Sequence, residues 1–148
     1  MNAMTARPEK HTAPASWHLH LVGTLALVWG VLCVARYLAF QTGDLSPQTV
    51  DAWQLTPFYD LPSIIMATWA ISTWGAVAGA CLLLVRSKLA VPAFTMALIG
   101  LIGTSAYQFL GVENPISIYD TPFNFAVWLV ALAALLYASR VDAQELLR

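Results

Sequence analysis

Charge is what this chain has least of. Of its 148 residues, 7 are Lys or Arg and 8 are Asp or Glu, so 10% are charged against 59% hydrophobic. A water-soluble domain carries about 25% charged residues, and with far fewer it cannot cover its surface with polar groups. An ordinary soluble globule is therefore excluded, and the mean hydropathy of +0.66 puts the excess apolar surface in lipid. The length suits one domain. The net charge of -1 excludes nucleic acid as a partner, because displacing its counterions needs a basic footprint.

Groups that do chemistry are also scarce. There are two cysteines, Cys33 and Cys81, and no Cys-x-x-Cys for quinone-linked thiol exchange. At ~1.5 Å per helical residue, Cys33 stands about 24 Å up the first apolar run and Cys81 about 27 Å down the second, near the opposite side. Their heights differ by more than the ~7 Å limit on Cα separation, so no disulfide joins them within one chain. Both read as small buried hydrophobes. The histidines are His11, His18 and His20, all before or at the start of the first run. Axial haem ligands must face each other from different helices, which these cannot do. A metal pair of His18 and His20 is the lesser alternative to interfacial anchoring. We therefore expect no metal and no cofactor. No nucleophile with a base and no phosphate-cradling Gly loop is present, so we expect no catalytic residue and no enzyme. Asp and Glu are absent from every apolar run, which counts against small proton-coupled exporters that depend on an embedded carboxylate.

What is present is four long apolar runs, at about 17–40, 63–85, 89–110 and 122–138. Each is roughly the twenty residues a bilayer requires. None alternates as a barrel strand would, so the spacing predicts an all-α, four-helix transmembrane bundle over 17–140. Prolines stand at or near each start (Pro14, Pro62, Pro92, Pro122), where a missing N–H does least harm. Residues 1–16 are small, polar and proline-punctuated and read as a disordered tail. They do not read as a secretory signal, because the run behind them exceeds the 7–15 residues of a signal core. Residues 141–148 read as a charged tail that carries the last helix into water. Arg86-Ser87-Lys88 is so short that spans two and three must be antiparallel neighbours. Ser46-Pro47 with Val50, Trp53 and Leu55 reads as a short surface helix.

Arg7, Lys10, Arg86, Lys88, Arg140 and Arg148 all fall on one side of such a bundle, and the other two connections contain no Lys or Arg. The positive-inside rule makes that side, with both termini, cytoplasmic.

Tyr59-Asp60-Leu61-Pro62 and Tyr119-Asp120-Thr121-Pro122 begin the second and fourth runs alike. This allows two repeated helical hairpins about an axis along the membrane normal. Helix-start preferences alone, with Asp at the N-terminus, Pro in the first turn and Tyr at the interface, give the same four residues.

Arg36 is the one Asp, Glu, Lys or Arg inside a run, about 28 Å up the first helix and just beneath the outer headgroups. At similar height stand Tyr37, Tyr107, Gln108, Asn124, Asp60 and Asp120, with Trp69 and Trp128 roughly 9 Å below the outer ends of their helices. Helical spacing puts Trp29 with Arg36, Thr104 with Tyr107 and Gln108, and Asn124 with Trp128. If those faces converge, they form an outward-opening pocket whose Arg suits a carboxylate, phosphate or lipid headgroup. The competing reading has Arg36 snorkel, or pair with Asp60 or Asp120 as a helix tie. Gly75-x-x-x-Gly79 with Ser72, Ala76 and Ala80 gives span two a small-residue ridge, and Ala97, Gly100 and Gly103 give span three another. Such ridges drive close helix association in lipid, within the bundle or in a homo-oligomer. Trp29 and Trp74 lie near mid-bilayer, where an indole N–H calls for a partner in the bundle interior.

The run Trp69-Ala70-Ile71-Ser72-Thr73-Trp74-Gly75-Ala76, then Leu82 to Ser87, Phe94 and Tyr107, resembles a family of small four-span bacterial inner-membrane proteins loosely labelled sugar-transporter-like. The resemblance spans about residues 19–140, with WAxxxWG its most specific part. It implies a bacterial inner-membrane location; the family has no established catalytic residues, so no residue role follows from it.

The expected function is then non-enzymatic: a multi-pass membrane protein binding a partner protein or an amphiphile near its outer half. The alternatives are an oligomeric transporter of a small polar solute and an accessory subunit of a larger membrane complex. A transporter needs a cavity continuing toward the cytoplasm; a binding protein needs a sealed inner half.

Overall fold

The computed structural model describes residues 17–42, 62–110 and 121–147. Four helices account for nearly all of them: α1 Trp17–Thr42, α2 Ser63–Leu84, α3 Ala90–Leu110 and α4 Thr121–Ala143. All four are long and apolar enough to cross a membrane, and no strand occurs among the described residues. The chain is an all-α four-helix bundle, and its outward faces call for lipid. Leu21, Leu25, Val28 and Leu32 on α1, and Phe125, Leu129, Leu132 and Leu136 on α4, are all exposed. At these spacings each set forms one apolar stripe along its helix.

The bundle has a basic end, with the start of α1, the α2–α3 link and the end of α4, and an opposite end where α1 finishes and α2 and α4 begin. Helices α1, α2 and α3 are drawn together by small residues. A Cβ on Gly75 would sit 3.1 Å from Ala97 Cβ, and one on Gly79 would sit 2.8 Å from the Phe94 ring. The tightest approach to backbone is at Gly100, whose Cβ would lie 2.6 Å from the Thr68 carbonyl oxygen and 2.8 Å from the Ser72 nitrogen. The ridges of α2 and α3 thus meet each other, backbone to backbone, within one chain. On the other side of α2, Gly30 of α1 lies against Val77. Helix α4 packs mainly on α3 and touches α1 at few points.

The α2–α3 link is a tight turn. The Ser87 N–H donates to the Leu82 carbonyl (2.8 Å) and the Arg86 N–H to the Leu83 carbonyl (3.0 Å), with Arg86 at φ 59. This is a Schellman ending with an arginine where glycine is usual. Ser87 then starts α3: its hydroxyl oxygen accepts from the Leu89 N–H at 3.3 Å and its carbonyl from Ala90 at 3.0 Å. At the start of α2 the N-cap is Pro62, with no side-chain cap.

The residues after α4 differ from the sequence expectation. The helix itself continues past Ala138 into the tail, as expected, through Arg140 and Asp142 to Ala143. It closes with a second Schellman turn: Leu146 N–H to the Val141 carbonyl (3.2 Å) and Glu145 N–H to the Asp142 carbonyl (2.9 Å), with Glu145 at φ 56. The reversal returns Leu147, 2% exposed, to a cluster with Leu19, Leu83, Phe94, Ala138 and Val141. These last residues cover the basic end of the core instead of trailing into water. Beside them, His18 Nδ1 and the Tyr137 hydroxyl share a hydrogen bond of 2.8 Å, which ties the start of α1 to the last turns of α4.

Candidate functional site

Between the four helices lies a cavity of about 130 Å³. Its wall on α1 runs from Ala26 through Trp29 and Cys33 to Arg36, and on α4 from Phe123 to Ala134. At ~1.5 Å per residue both stretches are about 15 Å long. Trp69, Ser72, Thr73 and Ala76 of α2 and Phe94, Ala97, Leu101, Thr104 and Ser105 of α3 make the remaining wall. The space exists because α4 has no glycine to bring it close: α1, α2 and α3 are zipped, while α4 stands off on Phe123, Trp128 and the valines.

Aromatic rings shape the end away from the basic residues. The Arg36 guanidinium lies over the Phe123 ring, 4.5 Å from its centroid. The indole of Trp29 stacks against the same residue at 6.0 Å and 28°. Trp69 is held by Tyr37 at 5.3 Å, edge to face, and by Phe40 at 5.4 Å. A cation over an aromatic face at an exposed site gains about 0.5–1 kcal/mol, so Phe123 helps to place the charge at this rim. Arg36 is itself exposed, as a charged group near a membrane surface should be.

Deeper in, the wall is less polar than its residue names suggest. The Thr73 hydroxyl donates to the carbonyls of Trp69 and Ala70, both at 3.1 Å. The Thr104 hydroxyl donates to the Gly100 carbonyl at 2.9 Å and lies 3.2 Å from the Thr68 hydroxyl. Both hydroxyls are engaged by the helices, as buried polar groups in lipid must be. Cys33 is a half-buried free thiol in the wall. Toward the basic end the space closes on Phe94 and Ala134, and beyond them Leu19, Leu83, Ala138, Val141 and Leu147 fill the interior. Along the sparse α1–α4 contact the helices are pinned at two heights, by His18 with Tyr137 and by Arg36 and Trp29 with Phe123.

Five expected residues, Trp29, Arg36, Trp69, Asn124 and Trp128, do share this one cavity, as does Thr104. Tyr107 is half-buried on α3 but is not part of the cavity wall, since the wall turns away above Ser105. The Gln108 side chain, Asp60, Asp120 and the surface helix around Trp53 lie outside the described residues. Gly75 and Gly79 face Ala97 and Phe94. Two expectations are overturned. Trp74 does not point into the bundle but is 50% exposed, because the ridge of Ser72, Ala76 and Gly79 takes the inner face and turns residue 74 outward. Cys81 is likewise exposed, not buried. Sequence reasoning missed Phe123, which stands next to Pro122 and looked like part of a helix start. Its spacing to Val127, Val130 and Ala134 was the available signal. Among the described residues, no three His, Cys, Asp or Glu come together as a metal site.

Comparison with known protein families, curated proteins and solved structures finds no match. The functional reading therefore rests on this geometry.

Proposed function

We propose that this chain is a non-enzymatic, multi-pass protein of the bacterial inner membrane, with both termini cytoplasmic, that holds an amphiphile between its four helices. The supporting observation is the cavity itself, with a guanidinium at one rim and a largely apolar wall below it, closed toward the basic end by Leu19, Leu83, Phe94 and Leu147. A polar head and an apolar tail match that gradient, since apolar pockets with a few placed polar groups are what small ligands occupy. A solute pathway would need the space to continue through the basic end, where side chains fill it. The orientation rests on Arg86, Lys88 and Arg140 lying together at that end.

Native mass spectrometry of the protein extracted in mild detergent tests the reading. We expect a co-purified amphiphile on the wild type that is lost in Ala131→Phe, which puts a ring into the cavity. Bare protein from both, even after exposure to total membrane lipid, would refute it.

A further inference from the structure

The cavity also tells which part of an amphiphile enters it, granting the reading above that one binds there. Its volume of about 130 Å³ is close to the ~150 Å³ void that takes up one benzene. One six-membered ring with small substituents fits; a long hydrocarbon chain or a fused pair of rings does not. Flat side chains bound the space: Trp29 and Phe123 stack at 28°, and Trp69 and Trp128 complete an aromatic wall. A flat ring gains most from such neighbours, through offset-stacked and edge-to-face contacts.

Two hydroxyls in the wall are unlike the others. In the interior of α2, α3 and α4, the hydroxyls of Thr68, Thr73, Thr95, Thr104 and Ser139 each donate to a carbonyl of their own helix. Those of Ser72 and Ser105, which both line the cavity, make no hydrogen bond among the described residues. Ser105 is only 9% exposed, and an unmet hydroxyl at such a site in lipid is costly. No side-chain oxygen or nitrogen of the described residues is both sealed and unpartnered, so the Ser105 oxygen opens on space, and the space beside it is the cavity. Ser72 is level with Gly100, whose added Cβ would meet its nitrogen at 2.8 Å. Ser105 lies further along α3, about 7.5 Å higher at ~1.5 Å per residue. Two oxygens at opposite corners of a six-membered ring stand roughly 5.5 Å apart, and hydrogen bonds of ~2.8 Å at each end carry that reach from one serine to the other. A hydroxyl both donates and accepts, so each serine can meet a carbonyl, an ether or a hydroxyl.

We propose that the buried head of the occupant is a single six-membered ring with oxygens at opposite corners, as in a benzoquinone or a hydroquinone. It lies among Trp29, Phe123 and Trp69 and is hydrogen-bonded by Ser105 and Ser72. Its chain needs no room in the cavity. Helices α1 and α4 touch at few points. Between their pins at Tyr137 and Phe123 the seam passes Val130 and Ala134, where a chain lies with lipid on its other side.

The test uses the full-length protein in an uncharged polyoxyethylene detergent at about pH 6, where thiols stay protonated and do not attack a quinone. Bound probes are counted by native mass spectrometry. The probes carry one decyl chain each: 4-decyloxyphenol, 2-decyl-1,4-benzoquinone, decylbenzene and 6-decyloxy-2-naphthol. The phenol and the quinone should bind about tenfold or more tighter than decylbenzene, since one neutral hydrogen bond is worth about fivefold. The naphthol should bind about tenfold more weakly than the phenol, because a fused pair of rings overfills the space. Ser105→Ala and Ser72→Ala should each remove part of the preference for oxygen and together all of it, without weakening decylbenzene. Phenol above quinone would identify the reduced ring as the natural head, and the reverse the oxidised one. A preference that survives the double change with an unchanged melting temperature, or decylbenzene binding as tightly as the phenol, overturns the oxygen recognition while leaving an amphiphile site standing. A naphthol that binds as well as the phenol overturns the single ring. Should no probe bind in a manner that Ala131→Phe blocks, both this inference and the functional reading fall.

Discussion

Replacing Gly100 by alanine probes the frame on which the cavity is built. In a helix interior, Gly→Ala is ordinarily stabilising by about 1 kcal/mol, because glycine loses more backbone entropy on folding. At Gly100 the new Cβ would stand 2.6 Å from the Thr68 carbonyl oxygen and 2.8 Å from the Ser72 nitrogen, and both obstacles are backbone. Ordinary contact lies near 3.5 Å, so α2 and α3 would have to part locally by about 0.8 Å. A gap of that size forfeits a quarter to a half of each dispersion contact, about 0.05 kcal/mol for a pair, or roughly 1.5 kcal/mol over some thirty pairs. Overpacking strain of about 1–3 kcal/mol comes on top. After the propensity gain, the net is a loss of about 2 kcal/mol. Gly103 is the control one turn away: its added Cβ would lie 3.2 Å from the Thr68 methyl, which a side chain can concede. Gly103→Ala should therefore be neutral or stabilising by up to about 1 kcal/mol. Thermal unfolding of the two variants in detergent, followed by circular dichroism, should show Gly100→Ala lower by about 4–8 °C and Gly103→Ala unchanged or higher. Equal shifts would mean that α2 and α3 do not touch through their backbones at Gly100.

Other outcomes follow from the same contacts. Arg86→Gly relieves a left-handed residue in the α2–α3 turn and should stabilise the protein by about 0.5–1 kcal/mol, read as a higher melting temperature, whereas Arg86→Ala should not. Leu147→Ala removes a residue 2% exposed at the basic end of the core and should cost about 2–3 kcal/mol, a loss that a trailing polar tail would not show. Tyr137→Phe deletes the 2.8 Å bond to His18 at a cost of about 1 kcal/mol; hydrogen exchange should accelerate in the last turns of α4 and the first of α1, and unchanged protection there would contradict the clamp. Phe123→Leu should weaken retention of the amphiphile severalfold, read by native mass spectrometry, because it removes a ring from the cavity rim, with a smaller effect on stability than Phe123→Ala.

Lipid decides what could be read from the residues alone. The start of every helix and the end of α1, α2 and α3 were legible because a bilayer demands a run of fixed length and tolerates no exposed backbone. The end of the chain was legible only in part: the charged tail does carry α4 on past Ala138, but the buried return of Leu147 depends on a left-handed Glu145 that no propensity announces. Helix rotation was only half legible. In water an apolar stripe marks the inner face, but here both faces are apolar, so Trp74 and Cys81 carried no mark of facing outward. The small residues did carry it, since Ser72, Gly75, Ala76 and Gly79 face inward together. The polar and aromatic members of the site, Trp29, Arg36, Trp69, Asn124 and Trp128, were legible because their spacing and height agreed. Phe123 was not, because its role comes from a meeting between α1 and α4, helices far apart in sequence that touch at few points.

The most direct measurement is photo-crosslinking with a fatty acid carrying a diazirine near the end of its chain, in reconstituted membranes, with the adducts mapped by peptide mass spectrometry. A chain held in the cavity should label Phe94, Val130 and Ala134 at its closed end. Labelling confined to Leu25, Val28, Leu129 and Leu132 on the outward stripes of α1 and α4 would mean that the chain only surrounds the protein as lipid, and would contradict the account.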